Sequence, residues 1–166
     1  MKQSFEANIP KMYAVRLLYN AYFISAVLVP FYTDWGHIKF SQILFLNAWF
    51  FFWIFLLEIP TGTVADFLGR KTSMLLAFAT GIIGVLVYIS YPHYVVFLVG
   101  EVILAISFTL LSGADEAFMY DTLKELNRTE ISKKVFARME SFKLAGIIIG
   151  AATGGFFAKA LGLRYP

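Results

Sequence analysis

Apolar residues in this chain come in long unbroken runs rather than in alternation. Five stretches reach the roughly 20 mostly apolar residues that a bilayer-spanning helix needs: 12–32, 41–65, 72–91, 94–119 and 142–163. The second has a dense core running from Trp49 to Leu57, and the third carries no charge at all. Barrel strands are shorter, about ten residues of alternating polarity, so the pattern predicts helices. Pro10 suits a helix start, where its missing N–H costs nothing. Pro92 marks a tight turn between the third and fourth runs, and Pro30 and Pro60 are expected near helix ends. The first run resembles a signal peptide in having basic residues before it. It is too long for one, lacks a small-x-small cleavage site and is followed by further spans.

Composition agrees. Hydrophobic residues make up 59% and charged residues 15% of 166 positions, against about 25% charged in soluble chains. So few charges do not cover a soluble surface of that size, and lipid is the natural neighbour for the excess. The expected fold is an all-α membrane protein of about five spans.

Charge sets the orientation. Lys and Arg accumulate in cytoplasmic segments. With the N-terminus inside, the inner segments hold Lys2, Lys11, Arg16, Arg70, Lys71, Lys124, Arg128, Lys133, Lys134, Arg138 and Lys143, eleven of fourteen. Lys39, Lys159 and Arg164 fall outside. The cytoplasmic loops are then 66–71 and 121–141, and the expected location is the cell (inner) membrane. Glu125, Glu130 and Glu140 interrupt the basic residues of the second loop. It reads as a solvated amphipathic helix rather than a nucleic-acid surface.

Candidate chemistry is sparse. No cysteine is present, and His37 and His93 stand far apart, so no metal site, cofactor site or nucleophile–base arrangement is expected, and the chain does not read as an enzyme. Ionisable groups at mid-membrane are costly, roughly 2.5–3.5 kcal/mol on insertion scales, and therefore informative. Glu101 lies seven residues into the fourth run, about 10 Å at 1.5 Å per residue. It is the foremost candidate for a proton-carrying or substrate-facing acid, against the alternative of a structurally paired or interfacial carboxyl. Asn20 and Asn47 are candidate polar positions in apolar runs. Arg16 reads as snorkelling, and Glu58, Asp115 and Glu116 approach the inner interface.

The most specific segment is Gly62-Thr63-Val64-Ala65-Asp66-Phe67-Leu68-Gly69-Arg70-Lys71. Gly62 would let a neighbouring helix approach. Asp66, one turn later, would share its face and could cap the positive end of another helix. Gly69 permits a tight turn, and Arg70 and Lys71 can pair with nearby acids. This segment resembles the signature loop of the major facilitator superfamily, Gly-x-x-x-Asp-Arg-x-Gly-Arg-Lys. Gly62, Asp66, Gly69, Arg70 and Lys71 match it, and Phe67 stands where the family often has Arg. The stretch from Ser112 to Asp121 resembles the end of helix four in a bacterial drug-exporter-like group. Gly146, Gly150, Gly154 and Gly155 resemble the helix-five motif of proton-linked exporters, with Ala151 where the family has Pro; small-residue packing is the plainer account of these glycines.

The resemblance covers the whole chain and implies the first part of a fold of two six-helix halves that rock about a central site. It implies a secondary transporter of small molecules, with protons as coupling ion and efflux as direction. It also implies a conformational gate in which Asp66 takes part and Arg70 pairs with Asp121 or Asp115. On that reading the chain is an N-terminal fragment, and its partners are the bilayer, a small-molecule substrate, protons and the missing C-terminal helices. A non-transporting membrane scaffold or assembly subunit is the alternative.

Overall fold

The computed structural model describes residues 5–163. Lys2 and Arg164 of the charge pattern lie outside the described residues. The protein is all-α, with no strand among the described residues. Five helical stretches are long and apolar enough to cross a membrane: Asn8–Trp35, Phe40–Leu68, Arg70–Tyr88, Tyr94–Glu125 and Thr129–Leu161. Their regular parts are α1 (Asn8–Tyr19), α2 (Phe40–Leu68), α3 (Arg70–Tyr88), α4 (Tyr94–Leu111), α5 (Ala114–Glu125) and α6 (Ser132–Leu161). The chain forms two compact units. One joins the N-terminal stretch up to Leu28 with the chain from Glu116 onward, and the other is Val29–Asp115.

In the Val29–Asp115 unit, α3 and α4 form an antiparallel hairpin around Pro92, and α2 packs against α4. The hairpin seam is small and polar. Ser73, Ala77, Gly84 and Tyr88 are buried on one face of α3, with buried Met74 at its edge. The Ser73 hydroxyl donates to the Leu110 carbonyl and the Ser107 hydroxyl to the Ala77 carbonyl, each at 2.6 Å. A Cβ on Gly84 would stand 2.8 Å from Leu104 Cδ2, so the missing side chain sets the helix spacing. Trp49 of α2 donates its indole N–H to the Leu98 carbonyl at 3.2 Å.

Exposure is inverted relative to a soluble protein. Phe55, Ile59 and Phe67 are 79%, 81% and 88% exposed, while Ser73, Ser107 and Glu101 are buried. Extensive large apolar surface outside, with small and polar groups buried at helix contacts beside a core that also holds Phe31, Phe97 and Leu46, fits helices packed in lipid. Losing the Ser107 hydroxyl in a Ser107→Ala protein should lower stability by about 1 kcal/mol, read as a lower midpoint in a denaturing-detergent titration.

Pro60 lies inside α2 rather than near its end, because the helix continues to Leu68. Nearby hydroxyls bond the backbone around it: Thr61 donates to the Leu57 carbonyl at 2.8 Å and Thr63 to the Pro60 carbonyl at 2.6 Å. Such side-chain bonds help a membrane helix tolerate proline. The loop expected over 66–71 is likewise helix on both sides of one residue, Gly69. Its φ of 85° and ψ of 149° lie in a region that only glycine occupies readily.

In the other unit, α6 packs along α1 and the irregular segment that follows it. The first membrane-length stretch is broken, not continuous over 12–32. Asn20 turns its side-chain amide back onto the Arg16 carbonyl at 2.8 Å and ends α1. Residues Phe23–Val27 form a 3₁₀ turn. Pro30 would clash with the Ala26 carbonyl in a continuous α-helix, which accounts for the altered winding ahead of it. Gly146, Gly150 and Gly154 are buried on one face of α6, where added Cβ atoms would run into the Leu17 carbonyl, the backbone of Ala21 and Tyr22, and the Phe23 carbonyl. Gly155 departs from the expected packing set: nothing lies within 4 Å of a Cβ there. One residue is a 100° step around the helix, which takes it off the seam. Stacked Tyr13 and Phe142 (5.1 Å) and edge-on Phe23 and Phe157 (5.0 Å) fasten the two ends of this contact.

The segment 121–141, which reads as an amphipathic helix from its mixed charges, is helical over most of its length. α5 runs to Glu125, residues 126–128 turn, and Thr129–Ile131 leads into α6. Helix-favouring Lys, Arg, Glu and Leu recur through it, so helix continues beyond the apolar runs. Arg16 is not simply snorkelling: its guanidinium lies 3.4 Å from the Glu116 carboxylate.

Candidate functional site

The most distinctive polar cluster in the Val29–Asp115 unit is built from Tyr32, Tyr88 and Glu101. Tyr32 sits in a five-residue π-helical turn, Phe31–Trp35, closed by the Gly36 N–H donating to the Phe31 carbonyl at 2.9 Å. Tyr88 is the last residue of α3. Glu101 is buried in the second turn of α4. Two glycines bring them together. A Cβ on Gly100 would collide with the Tyr88 ring, so that ring lies directly on the α4 backbone one residue before the acid. A Cβ on Gly36 would stand 2.8 Å from the Phe97 ring. Phe97 precedes Glu101 by one turn and therefore shares its face.

The three oxygens form a connected set. The Tyr88 hydroxyl donates to Glu101 Oε1 at 2.7 Å, and the Tyr32 hydroxyl lies 3.4 Å from the same oxygen. The two hydroxyls are 2.5 Å apart. Each hydroxyl has one proton. If Tyr88 gives its proton to Glu101, Tyr32 gives its own to Tyr88, and the chain of donors runs Tyr32 to Tyr88 to Glu101. A proton carried by Glu101 allows the chain to reverse. Phe31 and Phe97, both fully buried, wall the cluster with ring centroids 6.0 Å apart. Phe97 also lies 5.2 Å from the Tyr88 ring and 5.6 Å from the Tyr32 ring. The arrangement can hold a carboxyl in apolar surroundings and share a proton over three oxygens. Low local polarity strengthens such a network while it is complete and raises the cost of breaking it.

The other sequence candidates lie elsewhere. Asn20 is spent on the helix end, and Asn47 is exposed on α2. Gly62 is exposed, and among the described residues nothing lies within 4 Å of a would-be Cβ. Asp66 is exposed near the end of α2, one residue beyond the helix Gly69 makes the break, and Arg70 and Lys71 open α3. Arg70 belongs to the second unit described by its limits Val29–Asp115, and Asp121 to the first. Among the described residues no group of three or more His, Asp or Glu side chains is arranged to hold a metal ion.

Tyr32 and Tyr88 were not anticipated as partners of Glu101. A usable signal existed for Tyr88. An antiparallel hairpin folded at Pro92 places the end of α3 opposite the first turns of α4, and a glycine immediately before a buried acid leaves room for a ring. Comparison of the chain with protein-family models, with curated proteins and with solved structures gave no match.

Proposed function

We propose that the protein is a secondary active transporter of small molecules, working by alternating access and coupled to protons in the direction of efflux. The observation that carries this reading is the Glu101 carboxyl, buried with two tyrosine hydroxyls among helices of membrane length. A buried acid within a membrane span is a functional-site hypothesis by default, and a hydroxyl network offers it a route for a proton. The resemblance of the 62–71 segment to the major facilitator signature supplies the transporter class. Localisation in the cell membrane with the N-terminus in the cytoplasm follows from the distribution of Lys and Arg.

On this reading the two halves implied by the resemblance rock about a central site. Asp66, Arg70 and Asp121 act as the gate, holding the state closed toward the cytoplasm. Glu101 takes up and releases the coupling proton.

The test uses inside-out vesicles from cells making the full-length protein, with both halves that the resemblance implies, and a respiratory pH gradient followed by an acridine dye. A panel of small organic cations, anions and neutral compounds is added in turn. Proton release that depends on both a compound and the protein supports the reading. Identical traces with and without correctly inserted protein across the panel count against it. Asp66→Asn should insert normally and lower the initial rate about tenfold, the size expected from one lost charge-assisted hydrogen bond; an unchanged rate would remove Asp66 from the gate.

A further inference from the structure

α6 begins with an electrostatic oddity. A helix N-terminus is the positive end of its dipole, where acidic side chains stabilise and basic ones oppose. The first turn of α6 contains no acid and carries Lys133 and Lys134, and Ile131 at the cap position provides no side-chain bond. Arg138 follows a little over one turn after Lys134, and all three cations are exposed. Among the described residues, none of the three is within ion-pair distance of a carboxylate. Their neighbours are spoken for: Arg128 lies 3.3 Å from Glu6, and Lys143 lies 3.1 Å from Glu140.

The geometry separates this patch from the packed side of the helix. Val135, Met139 and Gly146 are buried and mark the direction of α1. At 100° per residue, Lys134 and Arg138 fall 40° apart on the helix wheel, and Lys133 lies to their far side, away from the buried direction. The same unbroken helix then enters its apolar run. Taking Phe142 as the edge of that run, Arg138 stands about 6 Å and Lys134 about 12 Å outside it along the axis. The headgroup layer occupies roughly 5–8 Å on each side of the hydrocarbon, and an anionic surface attracts basic residues within about a Debye length beyond it. Arg138 therefore lies at headgroup level, and Lys134 and Lys133 stand just beyond it, within a screening length of an anionic surface. Glu130, the acid of the preceding turn, is not within ion-pair distance of any of the three.

We infer that Lys133, Lys134 and Arg138 form a docking surface for the phosphate headgroups of anionic phospholipids. The occupant is lipid because the charge is opposite, Arg138 stands at headgroup height with the two lysines within a screening length of it, and the surface continues directly into a membrane-length helix. This surface is independent of Glu101 and of any transport role.

The experiment places the full chain in phosphatidylcholine vesicles containing a minor fraction of spin-labelled phosphatidylglycerol or, separately, spin-labelled phosphatidylcholine. The readout is the ratio of the two labels' motionally restricted fractions. With about 1 kcal/mol per basic residue near an anionic surface, the wild-type ratio should favour phosphatidylglycerol roughly fivefold or more. Lys133→Gln/Lys134→Gln/Arg138→Gln should bring it close to one, as should 1 M salt, where the screening length is about 3 Å. Lys39→Gln/Lys159→Gln should leave it unchanged. Arg138→Gln alone, expected to lower the ratio partway, keeps the test sound if the triple variant fails to fold. A wild-type ratio near one overturns the inference, as does a ratio that the folded patch variants leave intact. Displacement of the label by millimolar inorganic phosphate would overturn it too, since the surface would then be taking a free anion.

Discussion

A Glu101→Gln protein should insert, fold and melt much like the wild type, yet lose proton-linked movement of its substrate by roughly a hundredfold, the scale of a missing proton-transfer group. The contrast matters because glutamine keeps the shape of the side chain. Its amide oxygen can still accept from the Tyr88 hydroxyl, which sits 2.7 Å from the carboxyl oxygen in the native site. A cluster that only staples three segments together would register this change weakly. A cluster that carries a proton would lose its function. Tyr88→Phe should behave oppositely, because it removes the donor to Glu101 and the partner of Tyr32 together. Leaving a buried polar group short of a partner costs about 1–3 kcal/mol, so this variant should be visibly destabilised as well as slowed. Tyr32→Phe should be milder, since its oxygen lies 3.4 Å from the carboxyl and its closer partner is Tyr88. Measurement of melting and of proton-coupled flux on the same three proteins separates the two roles. Full flux in Glu101→Gln would reduce the site to structural glue.

What could be read in advance follows from which forces act locally. The all-α class and the five membrane-length stretches were legible because burial in lipid demands long apolar runs, and such runs cannot hide in a sequence. Glu101 stood out for the same reason in reverse, as a charge in an expensive place. Gly69 was legible as a turn because few residues accept its backbone angles. Tyr32 and Tyr88 were not, since a tyrosine in an apolar run reads equally well as an interfacial anchor; only the hairpin register and Gly100 reveal where the hydroxyl goes. The break after Tyr19 was also invisible. It depends on one side-chain bond from Asn20 to Arg16, a competition between side chain and backbone that hydropathy does not report. The helix end at Asp66–Leu68 lies beyond the apolar run and follows helix propensity instead of hydrophobicity, so hydropathy drew it as a loop; in 121–141 the mixed charges made the helix legible where hydropathy did not.

The glycines of α6 offer a second large effect, and one that does not depend on any function. Gly146, Gly150 and Gly154 recur every four residues and so line one face, while Gly155 sits beside them in sequence and off the face in space. In Gly150→Ala the new methyl would stand 2.7 Å from the Tyr22 nitrogen and 2.9 Å from the Ala21 carbonyl carbon. Those are backbone atoms of an irregular segment held by its own hydrogen bonds, among them the Tyr22 N–H donating to the Asn20 carbonyl at 2.9 Å. They cannot rotate away as a side chain would, so the helices must separate and forfeit the contacts between them. Overpacking of this kind costs about 1–3 kcal/mol, which corresponds to a fall of roughly 2–12 °C in apparent melting temperature for a chain of this length. Gly150→Leu should go further and lose the folded first unit. Gly155→Ala meets no atom within 4 Å and replaces a poor helix former with the best one, so it should hold or raise the melting temperature by up to about 1 kcal/mol of added stability. Thermal unfolding of the four proteins in one detergent, followed by circular dichroism, provides the comparison. Equal melting of Gly150→Ala and Gly155→Ala would mean that α6 and the irregular segment after α1 do not meet along this seam.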